Sequence, residues 1–134
     1  MTDREAIKSL IENAYEARRT GNIEAIMAAF DPNCTFEIVG AKPLAKAAGR
    51  VEGHAQLRNA LAPLIDAFKF EEREFISMII ENDRAAVHSR VKVLFVPNGK
   101  TEITEIVDLW KIQNARIVEL IEFIDTALVN EMMR

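Results

Sequence analysis

The sequence predicts an α+β fold in which helices gather on one side of a long, curved, mainly antiparallel sheet. Two observations carry the prediction. Up to Phe68, apolar residues recur at helical spacing, interrupted by one short strand-like run. After Phe70 the pattern changes to four strand-like runs joined by short turns, the signature of an antiparallel meander.

The elements follow in order. Thr2 to Glu5, "TDRE", has the form of a capping box. Ile7, Leu10, Ile11, Ala14 and Tyr15 then keep helical spacing, and Gly21 stops the run. Asn22 is placed to cap a second helix whose apolar face is Ile23, Ile26, Met27 and Phe30, and Asp31-Pro32 ends it. "CTFEIV", Cys34 to Val39, reads as a short strand. Residues 40–53, "GAKPLAKAAGRVEG", have weak periodicity and three glycines, and read as a loop with room for a helical turn. A third helix starts near Gly53, presents Leu57, Leu61, Leu64, Ile65 and Phe68, and is expected to kink or end at Pro63. The four runs that follow are "EREFISMII", "AAVHSRVKVLFV", "TEITEIVDLWKI" and "ARIVELIEFI", separated by "ENDR", "PNGK" and "QNA". Asn98-Gly99 is the strongest hairpin signal in the chain. No linker, repeat or low-complexity segment interrupts the 134 residues, and the expectation is a single domain over 1–134.

Composition narrows the function classes. Apolar residues make up 49% and charged residues 28%, ordinary for a globular chain long enough to bury a core. The formal charge is −4 and there is no basic stripe, which argues against a nucleic-acid partner. One cysteine, Cys34, excludes an internal disulfide framework and fits a cytoplasmic location. "MTDREAIKSL" lacks the apolar run of a signal peptide, and no segment has the length and hydropathy to span a bilayer, so no membrane association is expected. Two histidines and one cysteine do not make a conventional zinc site, there is no P-loop or GxGxxG, and no cofactor or metal is expected.

One stretch poses a chemical question. Alternation in "TEIVDLWKI" puts Thr104, Ile106, Asp108, Trp110 and Ile112 on one strand face. An ionised, unpaired Asp108 between an isoleucine and the only tryptophan would be costly. Either the face is wet, or Asp108 has a partner such as Arg90 or Lys92, or a site keeps it as a neutral acid. Both faces of the sheet carry apolar residues: Val87, Val91, Val93 and Phe95 alternate with His88, Arg90, Lys92 and Leu94. One face meets the helices, and a homodimer would cover the other.

At this point the chain resembles a known family. The carriers are "YEARRTGNIEAIMAAFDPNCTFE", "VEGHAQLRNAL", "IVDLWKI" and "ARIVELIEFIDTALV", in that order and spacing, over nearly the whole chain. The pattern resembles the nuclear transport factor 2-like fold and, within it, the SnoaL-like and ketosteroid isomerase-like proteins. The resemblance implies a cone-shaped barrel of three N-terminal helices on a curved sheet, with a pocket for a small apolar molecule inside the cone. In ketosteroid isomerases a tyrosine on the first helix and a neutral aspartic acid on the third long strand donate to an enolate oxygen. Tyr15 and Asp108 fall at the matching places.

The general base does not match. Ile38 occupies the position of the isomerase aspartate, and Glu37, one residue away, points to the opposite face unless a bulge intervenes. Limonene epoxide hydrolase-like members place Arg-x-Asp on one strand and a further aspartate at the end of the last. Here Arg90 is kept, Lys92 reverses the charge of the first carboxylate, and Asp125 matches the second. SnoaL-like cyclases also use a carboxylate deep in the pocket, which keeps Asp125 in view. The resemblance therefore implies Tyr15, Asp108, Asp125 and Glu37 as catalytic residues, with Trp110, Arg90, Phe36, Leu120 and Glu122 lining a substrate.

Each residue has a plainer reading. Tyr15 packs its ring in the core, Asp108 pairs structurally, and Asp125 caps a short C-terminal helix, "TALVNEMM". Two function classes stay open. One is a cofactor-independent isomerase- or cyclase-type enzyme that uses acid–base chemistry and oxyanion stabilisation on a carbonyl or aromatic compound. The other is a non-catalytic ligand-binding or assembly module of the same fold.

Overall fold

A computed structural model describes residues 3–40 and 49–134. Thr2 of the expected capping box and residues 41–48 of the expected loop lie outside the described residues. The order of elements is α1 (Arg4–Thr20), α2 (Ile23–Ala29), β1 (Phe30–Val39), β2 (Gly49–Glu52), α3 (Gly53–Ala67), β3 (Phe68–Glu81), β4 (Arg84–Phe95), β5 (Lys100–Gln113), β6 (Arg116–Phe123) and α4 (Thr126–Met132). The fold is α+β, as the two-part pattern predicts.

The helices end where local chemistry ends them. Gly21 takes a left-handed conformation (φ 72°), and its N–H reaches back to the last carbonyls of α1. Asn22 caps α2 by accepting from the Ala25 N–H at 3.1 Å. Pro63 does not end α3, which runs on to Ala67. It sits on the exposed side, where water can serve the Asn59 carbonyl that lost its partner. Part of the expected loop is ordered as a strand instead: β2 pairs antiparallel with β1, Phe36 opposite Val51.

The six strands form one open sheet in the order β2-β1-β6-β5-β4-β3. It is not closed into a barrel. The meander β3 to β6 is antiparallel, and β1 joins β6 in parallel, so the sheet is mixed. Gly99 (φ 73°) turns the β4–β5 hairpin, and Asn98 donates to the Met132 carbonyl at 2.7 Å, tying α4 to that turn. Ala85, Val87, Ser89, Val91, Val93 and Phe95 are the buried face of β4. His88, Arg90, Lys92 and Leu94 therefore face outward.

The core has two clusters. Ile7, Ile11, Leu57, Val87 and Ile117 anchor the one between α1, α3 and the concave face. Phe68, Val91, Val93, Phe95, Ile106 and Met132 form the other, under α4. Among the described residues no helix is long and apolar enough to cross a membrane.

Candidate functional site

Residues of both clusters line a cavity of about 120 Å³ between the helices and the concave sheet face. That is near the volume, about 150 Å³, at which an engineered protein cavity admits benzene. The walls are apolar, and five ionisable groups break them: Tyr15, Arg18, Arg73, Asp108 and Glu122.

Tyr15 reaches the cavity from the buried side of α1, with its ring edge-on to Trp110 at 5.3 Å between centroids. Its hydroxyl donates to Oδ2 of Asp108 at 2.6 Å and accepts from the Trp110 Nε1–H at 3.2 Å. The result is a chain of donors rather than two parallel ones. The tyrosine proton is committed to Asp108, and Trp110, expected only to line the pocket, polarises the tyrosine.

Asp108 is 1% exposed, and its second oxygen, Oδ1, has no hydrogen-bond partner. It stands directly across from Glu122 in the β5–β6 register. Burial first, and then the nearby Glu122 carboxylate, raise the Asp108 pKa well above the usual carboxylate range, against the pull of the Tyr15 hydrogen bond and the Arg73 charge. As an anion, Asp108 would leave a charged oxygen buried and unpaired. As a neutral acid, it carries an O–H beside Glu122, and hydrogen bonding to that carboxylate also favours the protonated form. Burial first, and then the neighbouring Asp108 carboxyl, likewise raise the Tyr15 pKa, so the phenol stays protonated.

Glu122 is half-buried and lines the cavity. On its other side its register partner is Ile38 of β1. The position where a base was missing thus has a carboxylate one strand over. Phe36 and Leu120 also line the cavity.

Of the other expected residues, Glu37, Arg90 and Asp125 lie elsewhere, as do His54, His88 and Cys34. Glu37 alternates with Phe36 and Ile38 and does not line the cavity, because no bulge lies between Thr35 and Val39 to turn it inward. Arg90 projects from the outer face of the sheet toward Glu74, 3.5 Å away. His88 sits on the same outer face and contacts Glu105 at 2.6 Å. Asp125 caps α4 through a 3.0 Å bond from the Leu128 N–H and is exposed. His54 contacts the Phe30 carbonyl at 2.8 Å, and Cys34 is buried. Among the described residues no three His, Cys, Asp or Glu side chains gather as metal ligands.

Sequence reasoning missed Arg73, Arg18 and Thr104. Arg73 sits in "EEREF", which reads as a solvated charged run. Register shifts between Phe70 and Glu72 and between Phe75 and Ser77 break the alternation of β3. They turn Arg73 and Phe75 inward with Phe70. The Arg73 guanidinium lies 4.0 Å over the Tyr15 ring and donates to the buried Ser89 hydroxyl. Arg18 follows Tyr15 on α1, donates to the Phe68 carbonyl at 2.9 Å and stacks on Phe70. Burial pushes its pKa down to about 10, so it stays charged at neutral pH. Thr104 shares the face of Asp108. It is 7% exposed, and its hydroxyl has no partner. The alternation of β5 already placed it inward.

The model of the SnoaL-like domain matches residues 11–120, and the chain belongs to that family. Among functionally curated proteins, none matches the sequence. Solved structures share the fold at low identity. A candidate isomerase from Rhodopseudomonas palustris is 18% identical with a TM-score of 0.84, covering 100% of both chains. TerC, co-crystallised with polyporic acid, is 20% identical with a TM-score of 0.79, over 96% of this chain and 98% of its own. A candidate polyketide cyclase from Xanthomonas campestris pv. campestris is 15% identical with a TM-score of 0.79, over 99% and 100%. At these identities the likeness establishes the fold.

Proposed function

We propose that the cavity is the active site of a cofactor-independent isomerase- or cyclase-type enzyme acting on a carbonyl or aromatic compound. The observation that carries this is Asp108: almost fully buried, bonded to Tyr15 at 2.6 Å, with its other oxygen unpartnered at the cavity wall. A neutral acid held there meets a substrate oxygen as negative charge develops on it. Glu122 supplies the base. It takes a proton from the carbon next to the carbonyl, the C–H electron pair moves into the new C=C bond, and the carbonyl oxygen becomes an enolate bonded to Asp108. Return of that proton at a different carbon gives an isomer. Attack of the enolate carbon on a second carbonyl of the same molecule gives a ring: the π pair of that carbonyl moves to its oxygen, which takes the proton back from Glu122. Neither path consumes a cofactor.

Substituted phenols of graded acidity test this, because a phenolate mimics the enolate oxygen. The lone tryptophan reports binding through its fluorescence. Quenching should saturate, strengthen with phenol acidity, and weaken in both Asp108→Asn and Tyr15→Phe. Quenching indifferent to both substitutions would leave a binding or assembly module as the better reading.

The outer sheet face bears on the assembly. Ile79 and Ile103 are more than 60% exposed, and Leu109 and Phe123 about 40%. We assign this face to a homodimer contact, since water would otherwise meet a broad apolar patch. Leu109→Glu should shift the sedimentation of the protein toward the monomer; an unchanged profile with a monomeric wild type would refute the contact. The single buried cysteine supports a reducing, cytoplasmic compartment.

A further inference from the structure

Two guanidiniums, those of Arg18 and Arg73, line the cavity. Neither Arg18 nor Arg73 makes an ion pair among the described residues. Of the carboxyls lining the cavity, Asp108 is buried with a raised pKa, which leaves Glu122 facing two guanidiniums. The cavity is therefore locally cationic, inside a chain whose net charge is −4. A partly buried guanidinium without an ion pair gains from a ligand that brings an anion.

A second observation points to the same place. Thr104 offers a hydroxyl that is nearly fully buried and has no partner. It stands in the same cross-strand row as Arg73, with Val91 between them. Two strand spacings put the Arg73 and Thr104 backbones about 10 Å apart, and both side chains line the cavity. Arg73 also lines a shallow cleft between α1 and β3, so it stands where the cavity meets solvent.

We infer that the ligand is an organic acid: an apolar, ring-sized body whose carboxylate is received by Arg73 and Thr104. The inference deepens the function proposed above by naming the substrate class. The carboxylate end is then distinct from the carbonyl end, which meets Asp108. Arg73 and Thr104 orient the molecule and select for charge. The Arg73 guanidinium is already held over Tyr15 and by Ser89, so little freedom is lost when it binds.

Phenylacetate and phenylacetamide separate this subsite from the oxyanion reading, because neither carries a phenol. Titration calorimetry on the wild-type protein should show phenylacetate binding about tenfold or more tightly than the amide, as a charge-assisted bond to arginine requires. Arg73→Gln should abolish the preference while leaving amide binding in place. Arg73→Lys, which keeps the charge, should retain part of it, an outcome a purely structural arginine would not give. Thr104→Val should weaken the acid more than the amide. Equal binding of the two compounds by the wild type, or a preference that survives Arg73→Gln, would overturn the inference. The phenol series read in Asp108→Asn stands or falls independently.

Discussion

The Tyr15 hydroxyl, carried by the first helix, meets Oδ2 of Asp108 on the fifth strand at 2.6 Å, ninety-three residues away in sequence. That contact welds α1 to the concave face of the sheet and orients the more deeply buried of the two carboxyls that line the cavity. Removing it has two consequences. In Tyr15→Phe, Asp108 loses its donor and the Trp110 Nε1–H loses its acceptor. The protein should lose about 1–3 kcal/mol in a urea titration, the cost of leaving a buried polar group unmade. Acidic phenols should bind more weakly in the same variant.

Asp108 also makes stability depend on pH with a definite sign. Burial raises its folded pKa well above the usual carboxylate range, so the folded protein holds a proton that the unfolded chain releases. The folded state binds more protons between those two pKa values, and stability therefore falls as pH rises through that window. Asp108→Asn removes this dependence. Compared in urea at successive pH values above about 4, the variant should gain on the wild type by about 1.4 kcal/mol for each pH unit until the folded carboxyl ionises. A constant difference across pH would mean that Asp108 is not held neutral.

Thr104→Val should trade binding for stability. Valine keeps the shape and removes a buried hydroxyl that bonds to nothing. The ligand-free protein should become more stable by about 1 kcal/mol, read as a higher melting temperature. A loss of stability would show that the hydroxyl has a partner after all.

The β5–β6 turn carries a small strain that is easy to relieve. Asn114 and Ala115 both have positive φ, 51° and 62°. Such a two-residue turn favours Asn-Gly, because a Cβ is disfavoured at the second position. Ala115→Gly should stabilise the protein by about 0.5–1 kcal/mol in a thermal melt, and a decrease would contradict the strain.

The sequence carried the fold through periodicity, and the site only where periodicity was unbroken. Alternation along β5 correctly placed Asp108 and Trp110 on the buried face, and helical spacing put Tyr15 on the buried side of α1. The same parity rule turned Glu37 away, and Glu37 faces away. Parity could not see Arg73, because two register shifts in β3 reset the alternation. Glu122 shared parity with Leu120, but its nearness to Asp108 depends on the β5–β6 register, which no short motif encodes. Arg90 failed for a simpler reason. Both faces of β4 are partly apolar, and only the packing of the helices shows which is inside. Asp125 illustrates a conflict between two local rules: the position that matches a family carboxylate is also a helix N-cap, and the cap takes it.

The site turns on Asp108 being a buried carboxylic acid with a raised pKa. The direct measurement is a pH titration of the carboxyl carbon of Asp108 by nuclear magnetic resonance, with ¹³C-labelled aspartate and Asp108→Asn to assign the signal. The expected result is a carboxyl that keeps its proton well above the usual carboxylate range. A signal that titrates with the exposed aspartates, in the ordinary carboxylate range, would make Asp108 an anion and remove the oxyanion site from the cavity.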